Sequence, residues 1–120
     1  MDCLFCKIIK KEIPSYTIYE DDIVKVFLDI NPKAKGHCLV IPKKHYTDIT
    51  DIDLNTINHI FKTAKEIYEL LNNKLNPEGI ALLQNNGILQ EIKHFHLHLI
   101  PTYKNSMNLS VEEVYKKLTN

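Results

Sequence analysis

The sequence predicts a single α+β domain spanning residues 1–120, with a five-stranded antiparallel sheet, one long helix and short helices near the N- and C-terminal ends. Three observations lead there. Five β-rich runs are joined mainly by short turns, and helical periodicity falls between groups of strands rather than after each one. Only one stretch has the length and period of an extended amphipathic helix. Finally, His94-Phe95-His96-Leu97-His98-Leu99-Ile100-Pro101 alternates polar and apolar side chains, as a half-buried strand does. The 120 residues are 44% hydrophobic and 25% charged, and a chain of this size buries roughly two-thirds of its unfolded surface.

Taken in order, Asp2 is placed to cap a short helix from Cys3 to Lys10 that sets Cys3 and Cys6 on one face, and Ile13-Pro14-Ser15 ends it. Tyr16 to Tyr19 and Ile23 to Leu28, separated by Glu20-Asp21-Asp22, read as an antiparallel hairpin. A third strand runs from His37 to Ile41 between Gly36 and Pro42. From Asp53 to Leu75, Leu54, Ile57, Ile60, Phe61, Ala64, Ile67, Tyr68 and Leu71 form one apolar stripe, with His59 off it and exposed without a role. Asn76-Pro77-Glu78-Gly79 stops that helix, Ile80 to Gln84 forms a fourth strand, and Asn85-Asn86-Gly87 turns the chain into the histidine strand. Ser110 and Glu113 make a capping box ahead of Val111, Val114, Tyr115 and Leu118. The helices are expected on one side of the sheet.

Fifteen basic residues balance fifteen acidic ones, so no global field draws the protein to nucleic acid or a membrane surface, and neither partner is expected. The short clusters Lys7/Lys10/Lys11 and Lys43/Lys44 read as solvated surface. No apolar run has the length of a signal sequence or a membrane span, which predicts a cytoplasmic protein. Three cysteines, an odd number, argue against a disulfide framework; Cys38 reads as a small buried hydrophobe, and Cys3-x-x-Cys6 as a metal-binding or redox pair.

Half of the six histidines lie at two-residue spacing, a costly arrangement because neighbouring imidazoles depress one another's pKa. Strand residues two apart are separated by roughly 6.6 Å, so His94 and His98, roughly 13 Å apart, cannot share one metal ion. A division of labour follows. His94 is the natural candidate to complete a zinc site with the cysteines, and His37 and His45 are further candidate ligands. The remaining histidines suit nucleophilic attack and proton transfer at phosphorus or a carbonyl carbon. Gly36-His37, the Asn85-Asn86-Gly87 turn and Gln90 offer donors to an anionic ligand. A catalytic metal on the histidine row, and a binding module with little turnover, are the competing readings.

With these residues the chain resembles the histidine triad superfamily, whose signature His-φ-His-φ-His-φ-φ (φ apolar) is matched at every position from His94 to Ile100. The likeness extends through Cys3–Ile9, Tyr19–Asp22, Phe27–Ile30 and Gly36–His45. It implies a homodimeric nucleotide-binding hydrolase that cleaves nucleoside phosphoramidates or related dinucleotide α-phosphate bonds, purine being the usual base. By resemblance His96 is the nucleophile, forming a nucleotidyl-histidine, and His98 and His37 support proton transfer. Phe27, Asp29, Ile30, Asn85 and Gln90 match nucleotide-binding positions together with His96 and His98. Cys3, Cys6, His45 and His94 match the ligands of a zinc-containing bacterial branch, and such a zinc is structural because protein fills all four positions. The chain departs from the family in the Gly87–Gln90 loop, which is two residues shorter and carries Leu89 in place of a glycine.

Overall fold

A computed structural model describes residues 3–105 and 107–120. Asp2 and its expected cap therefore lie outside the described residues. Helix α1 (Leu4–Ile9) has Cys3 at its N-cap, where the Sγ accepts the Cys6 N–H at 3.4 Å. Strands β1 (Thr17–Glu20) and β2 (Val24–Leu28) form the predicted hairpin, followed by β3 (Cys38–Pro42), α2 (Leu54–Leu75), β4 (Gly79–Leu83), a single 3₁₀ turn at Gly87–Leu89, β5 (Leu97–Thr102) and α3 (Val111–Thr119). All pairings are antiparallel, in the order β1-β2-β3-β5-β4.

Asp21 organises the hairpin. Its Oδ1 accepts the N–H groups of Ile23 (2.8 Å) and Val24 (2.9 Å), and its Oδ2 accepts the Tyr19 hydroxyl (2.8 Å) and lies 2.8 Å from His59 Nε2. Burial opposes ionisation of Asp21, but these donors outweigh it and hold the carboxyl far below the usual carboxylate range. His59 is thus corrected from an exposed residue without a role to the tie between α2 and the β1–β2 turn. Period alone placed it off the apolar stripe, and the partner lies 38 residues away. Asp21→Ala, which strips four bonds from one turn, is expected to cost about 2 kcal/mol in a urea melt. A loss below about 0.5 kcal/mol would show that the Asp21 N–H to Val24 carbonyl bond suffices.

Helices cover both faces of the sheet, not one as expected. Val24, Val26, Leu28, Cys38, Val40, Leu97 and Leu99 pack against α2 and α3, while Phe27, Leu39 and Ile41 pack against Phe5 and Ile8 of α1. The sequence marks this in β2 and β3, where every residue is buried, the pattern of strands covered on both sides. On α2 the buried face is Ile60, Thr63, Ala64, Ile67, Leu71 and Leu75. Leu54 and Phe61 lie outside the stripe, 75% and 47% exposed, because Leu54 starts the helix before the contact begins and Phe61 sits one residue off the i, i+3/i+4 rows.

Two local details position the site. Gly36 has φ +87°, and a Cβ there would lie 2.7 Å from Leu75 Cδ1, so the turn into β3 needs glycine for both conformation and space. Pro101 is tolerated in β5 because the β3 pairing ends at Leu99, leaving that side of the strand free of a ladder. The capping box on α3 is complete, with Glu113 N–H to Ser110 Oγ at 3.1 Å and Ser110 N–H to Glu113 Oε1 at 3.0 Å.

Candidate active site and metal centre

The histidine row does not lie wholly on a strand. β5 begins at Leu97, and the preceding backbone is held by local bonds, His94 N–H to the Ile92 carbonyl (2.9 Å) and Phe95 N–H to the Tyr46 carbonyl (2.7 Å). The alternation of faces nevertheless holds. Phe95, Leu97 and Leu99 enter the α2 core, while the His94 and His96 rings stand edge-on to Phe5 of α1 at centroid distances of 5.9 and 5.1 Å. Leaving the ladder frees His94 to turn away from His98.

His94 meets Cys3, Cys6 and His45. The four donor atoms lie within 4.8 Å of one another, with Cys3 Sγ–His94 Nδ1 at 3.4 Å, Cys6 Sγ–His45 Nδ1 at 3.3 Å, Cys6 Sγ–His94 Nδ1 at 3.6 Å and His45 Nδ1–His94 Nδ1 at 3.1 Å. Ordinary zinc bond lengths in a tetrahedron put sulfur and nitrogen about 3.6 Å apart and two nitrogens about 3.3 Å apart. The donor set fits. His94 Nε2 lies 2.9 Å from the Pro42 carbonyl, which only accepts, so the proton sits on Nε2 and Nδ1 presents its lone pair to the cluster.

His96, His98, His37 and Asp29 form the second group. His96 is 5% exposed, and its Nδ1 donates to the His94 carbonyl at 2.7 Å. Its Nε2 is therefore the unprotonated nitrogen. The Lys33 N–H donates to His37 Nδ1 at 3.1 Å, which puts the His37 proton on Nε2, 2.9 Å from His98 Nδ1 and 3.6 Å from Asp29 Oδ2. His98 accepts at Nδ1 and so keeps a proton on Nε2. The result is a one-way chain of donors, Lys33 to His37 to His98, ending beside His96, whose ring centroid is 4.9 Å from that of His98.

Burial depresses the pKa of each of these imidazoles. His98 is pulled down to about 4 by burial first, then by the neighbouring His96 and His37, against the attraction of Asp29. His37 and His96 are lowered by burial, with Asp29 again opposing. All three are neutral at pH 7. A depressed histidine pKa means that the unfolded chain binds the proton more readily. The stability contributed by His98 is full above about pH 6.5 and is lost as pH falls through about 4. Between pH 7 and 5 wild-type protein is expected to lose on the order of 1 to 2 kcal/mol more than His98→Gln in urea melts; equal slopes would remove His98 as the cause.

Phe27 lies in the α1-side core with its ring 5.6 Å from Phe5, and Asp29 joins His37 and His98. Ile30 is on the loop after β2, 71% exposed. Asn85 and Gln90 are not joined to the histidines by any hydrogen bond among the described residues. The Asn85 carbonyl accepts from Gln84, and Gln90 Nε2 donates to the Thr47 carbonyl at 2.6 Å, leaving its buried Oε1 without a partner. Sequence reasoning missed Phe5, the wall shared by both groups; its place between Cys3 and Cys6 on one helical turn was the available signal. It also missed the Lys33 N–H and the carbonyls of Pro42 and His94, backbone groups that no side-chain pattern reveals.

This sheet order, with a histidine row divided between a thiol–imidazole cluster and a buried donor chain, is the architecture of a histidine triad domain. The family model described as HIT domain matches residues 10–105, and the chain belongs to that family. It is 40% identical to an uncharacterized HIT-like protein of Methanocaldococcus jannaschii, over 97% of this chain and 98% of that one. It is also 40% identical to an adenosine 5′-monophosphoramidase of Candida albicans, over 91% and 76% of the two chains. A zinc-bound histidine triad family protein from Mycobacterium smegmatis superposes with a TM-score of 0.92 at 31% identity, covering 99% of this chain and 91% of that one.

Proposed function

We propose that the protein hydrolyses nucleoside 5′-phosphoramidates through a covalent nucleotidyl-histidine on His96. The observation that carries this reading is the His96 ring itself, buried, neutral and fixed by its Nδ1–H bond to the His94 carbonyl so that Nε2 holds the free lone pair. Nε2 attacks the α-phosphorus and forms a P–N bond. The P–N bond to the leaving amine breaks as a water molecule gives a proton to the departing nitrogen, which the neutral His98 holds by a hydrogen bond from Nε2–H. The hydroxide so formed attacks phosphorus, breaking the bond to Nε2 and releasing the nucleoside monophosphate and His96. His37 holds His98 in the tautomer whose Nε2–H donates that hydrogen bond. Asp29 faces the ribose hydroxyls, and Phe27 and Ile30 the base. The Candida albicans relative's name supports the phosphoramidate as substrate.

Cys3, Cys6, His45 and His94 hold a structural zinc in this reading. When bound, it cross-links α1 to the segment that carries the histidines; no protein position is left for a reacting water. The His94 carbonyl that orients His96 belongs to that same anchored residue.

The test is incubation with adenosine 5′-phosphoramidate, followed by acid and base treatment of the quenched protein. Label on His96 that is acid-labile and base-stable supports the reading, and absence of both AMP release and label defeats it. The alternative, a nucleotide-binding regulatory module with little turnover, draws support from Gln90, whose amide is turned to Thr47, and from Leu89, 69% exposed in the shortened loop. Saturable AMP binding in calorimetry with background release rates would favour it.

A further inference from the structure

Lys11, one of the lysines read from the sequence as solvated surface, lines a cavity that no residue of the histidine row lines. It has a volume of about 390 Å³ and is lined by Lys11, Lys25, Glu20, Ser15, Thr17 and Ile13, among others, where the end of α1 meets the β1–β2 hairpin. Its size lies within the range of small-molecule sites.

Lys25 is the informative residue. It lies on β2 among continuously buried positions and is 3% exposed. An ammonium has three protons to place, and burying one is costly unless they are matched. Lys25 Nζ donates to the Ile8 carbonyl at 3.1 Å, and its nearest carboxylate oxygen, Glu20 Oε1, stands at 3.9 Å, too far for a hydrogen bond. That carboxylate is engaged elsewhere, with Lys43 Nζ 2.8 Å from Glu20 Oε2. Lys43, Lys25 and Lys11 all act on Glu20 and hold its carboxyl below the usual range, the Lys43 hydrogen bond contributing most and burial opposing. Three cations thus surround one anion. The hydroxyls of Ser15 and Thr17 bond each other at 2.8 Å and do not satisfy Lys25.

We infer that this cavity binds a small phosphate-bearing anion, with Lys25 and Lys11 as its cationic contacts and Ile13 beside its apolar part. The anion supplies the acceptors that the buried ammonium lacks and balances the excess positive charge. The inference is independent of the nucleotide reading, because the cavity and the histidine row have no lining residue in common.

The experiment follows backbone amides by NMR while inorganic phosphate is added to the zinc-loaded protein, with acetate and chloride at equal ionic strength as controls. Saturable shifts at Ser15, Thr17 and Lys25 are expected with phosphate, at least threefold tighter than with acetate. Lys11→Ala should weaken the response at least threefold and Lys25→Met should abolish it, while phosphate-induced shifts around His96 and His98 stay as in wild type. If Lys25→Met fails to fold, Lys11→Ala decides alone, since its side chain is exposed. The proposal is overturned by linear shifts, by equal responses to acetate or chloride, or by unchanged affinity in either folded variant.

Discussion

His96→Ala is expected to lower kcat/KM for adenosine 5′-phosphoramidate on the order of 10⁴ to 10⁶-fold, about 5 to 8 kcal/mol of transition-state stabilisation. The size of the loss follows from the absence of a substitute among the neighbouring rings. Both nitrogens of His94 are engaged, Nδ1 in the thiol–imidazole cluster and Nε2 with the Pro42 carbonyl. His98 accepts from His37 at Nδ1, and its other nitrogen carries the proton. No second imidazole offers a bare nitrogen without giving up a buried hydrogen bond. His98→Ala removes only the hydrogen-bond donor to the departing nitrogen and should cost on the order of 10² to 10³-fold, the usual range for losing one preorganised donor. His37→Ala should cost less again, because it orients His98 instead of meeting substrate. If His96→Ala retains activity within a factor of ten of wild type, the covalent mechanism is wrong.

Removing the zinc proposed for the Cys3, Cys6, His45 and His94 cluster is the second large effect, and it should appear in stability before it appears in chemistry. A ligand held at a thousand times its Kd contributes about 4 kcal/mol to the folded state, which for a domain of this size is roughly 15 °C in Tm. Treatment with a strong chelator, or Cys3→Ser, is expected to produce a fall of that order. The mechanism is specific to the packing. Cys3 and His94 are 6% and 0% exposed, and Phe5, between the two cysteine ligands, touches both His94 and His96. Residual activity of folded, metal-depleted protein should therefore fall by less than in His96→Ala. Metal analysis should return one zinc per chain. Two results contradict the structural assignment: a Tm unmoved by chelation, or complete loss of turnover at unchanged Tm.

Much of this architecture is legible from local sequence signals. Ser110 and Glu113 announce α3 because both partners of the capping box are three residues apart, and the period of α2 identifies its buried face to within one row. Strand spacing anticipates only that His94 and His98 cannot share a metal, and the structure sets them in different clusters although the row enters the strand at Leu97. Other features depend on partners far along the chain. His59 looks idle until the hairpin brings Asp21 to it. The helix expected beside its neighbours lies across the sheet, because continuous burial in β2 and β3 reads locally as a hydrophobic run without saying what covers each face. The start of β5 at Leu97 is illegible for a similar reason: whether His94 and Phe95 join a ladder depends on the Tyr46 carbonyl, which has no side-chain signature.

The cluster of Cys3, Cys6, His45 and His94 also bears on how the protein is made. Cys3 and His94 are 91 positions apart, so the first two proposed ligands are synthesised well before the last. While the N-terminal half is emerging, Cys3 and Cys6 form only an incomplete and exchangeable ligand set, and the loop that must close includes most of the chain. In the zinc-bound form proposed above, stable metal capture waits until His94 has been synthesised, after α2 and β4 have been made. A chain truncated before His94 would retain both thiols without the imidazole that completes the four-donor cluster. Metal loading of that proposed form therefore reports that the chain has been made as far as His94.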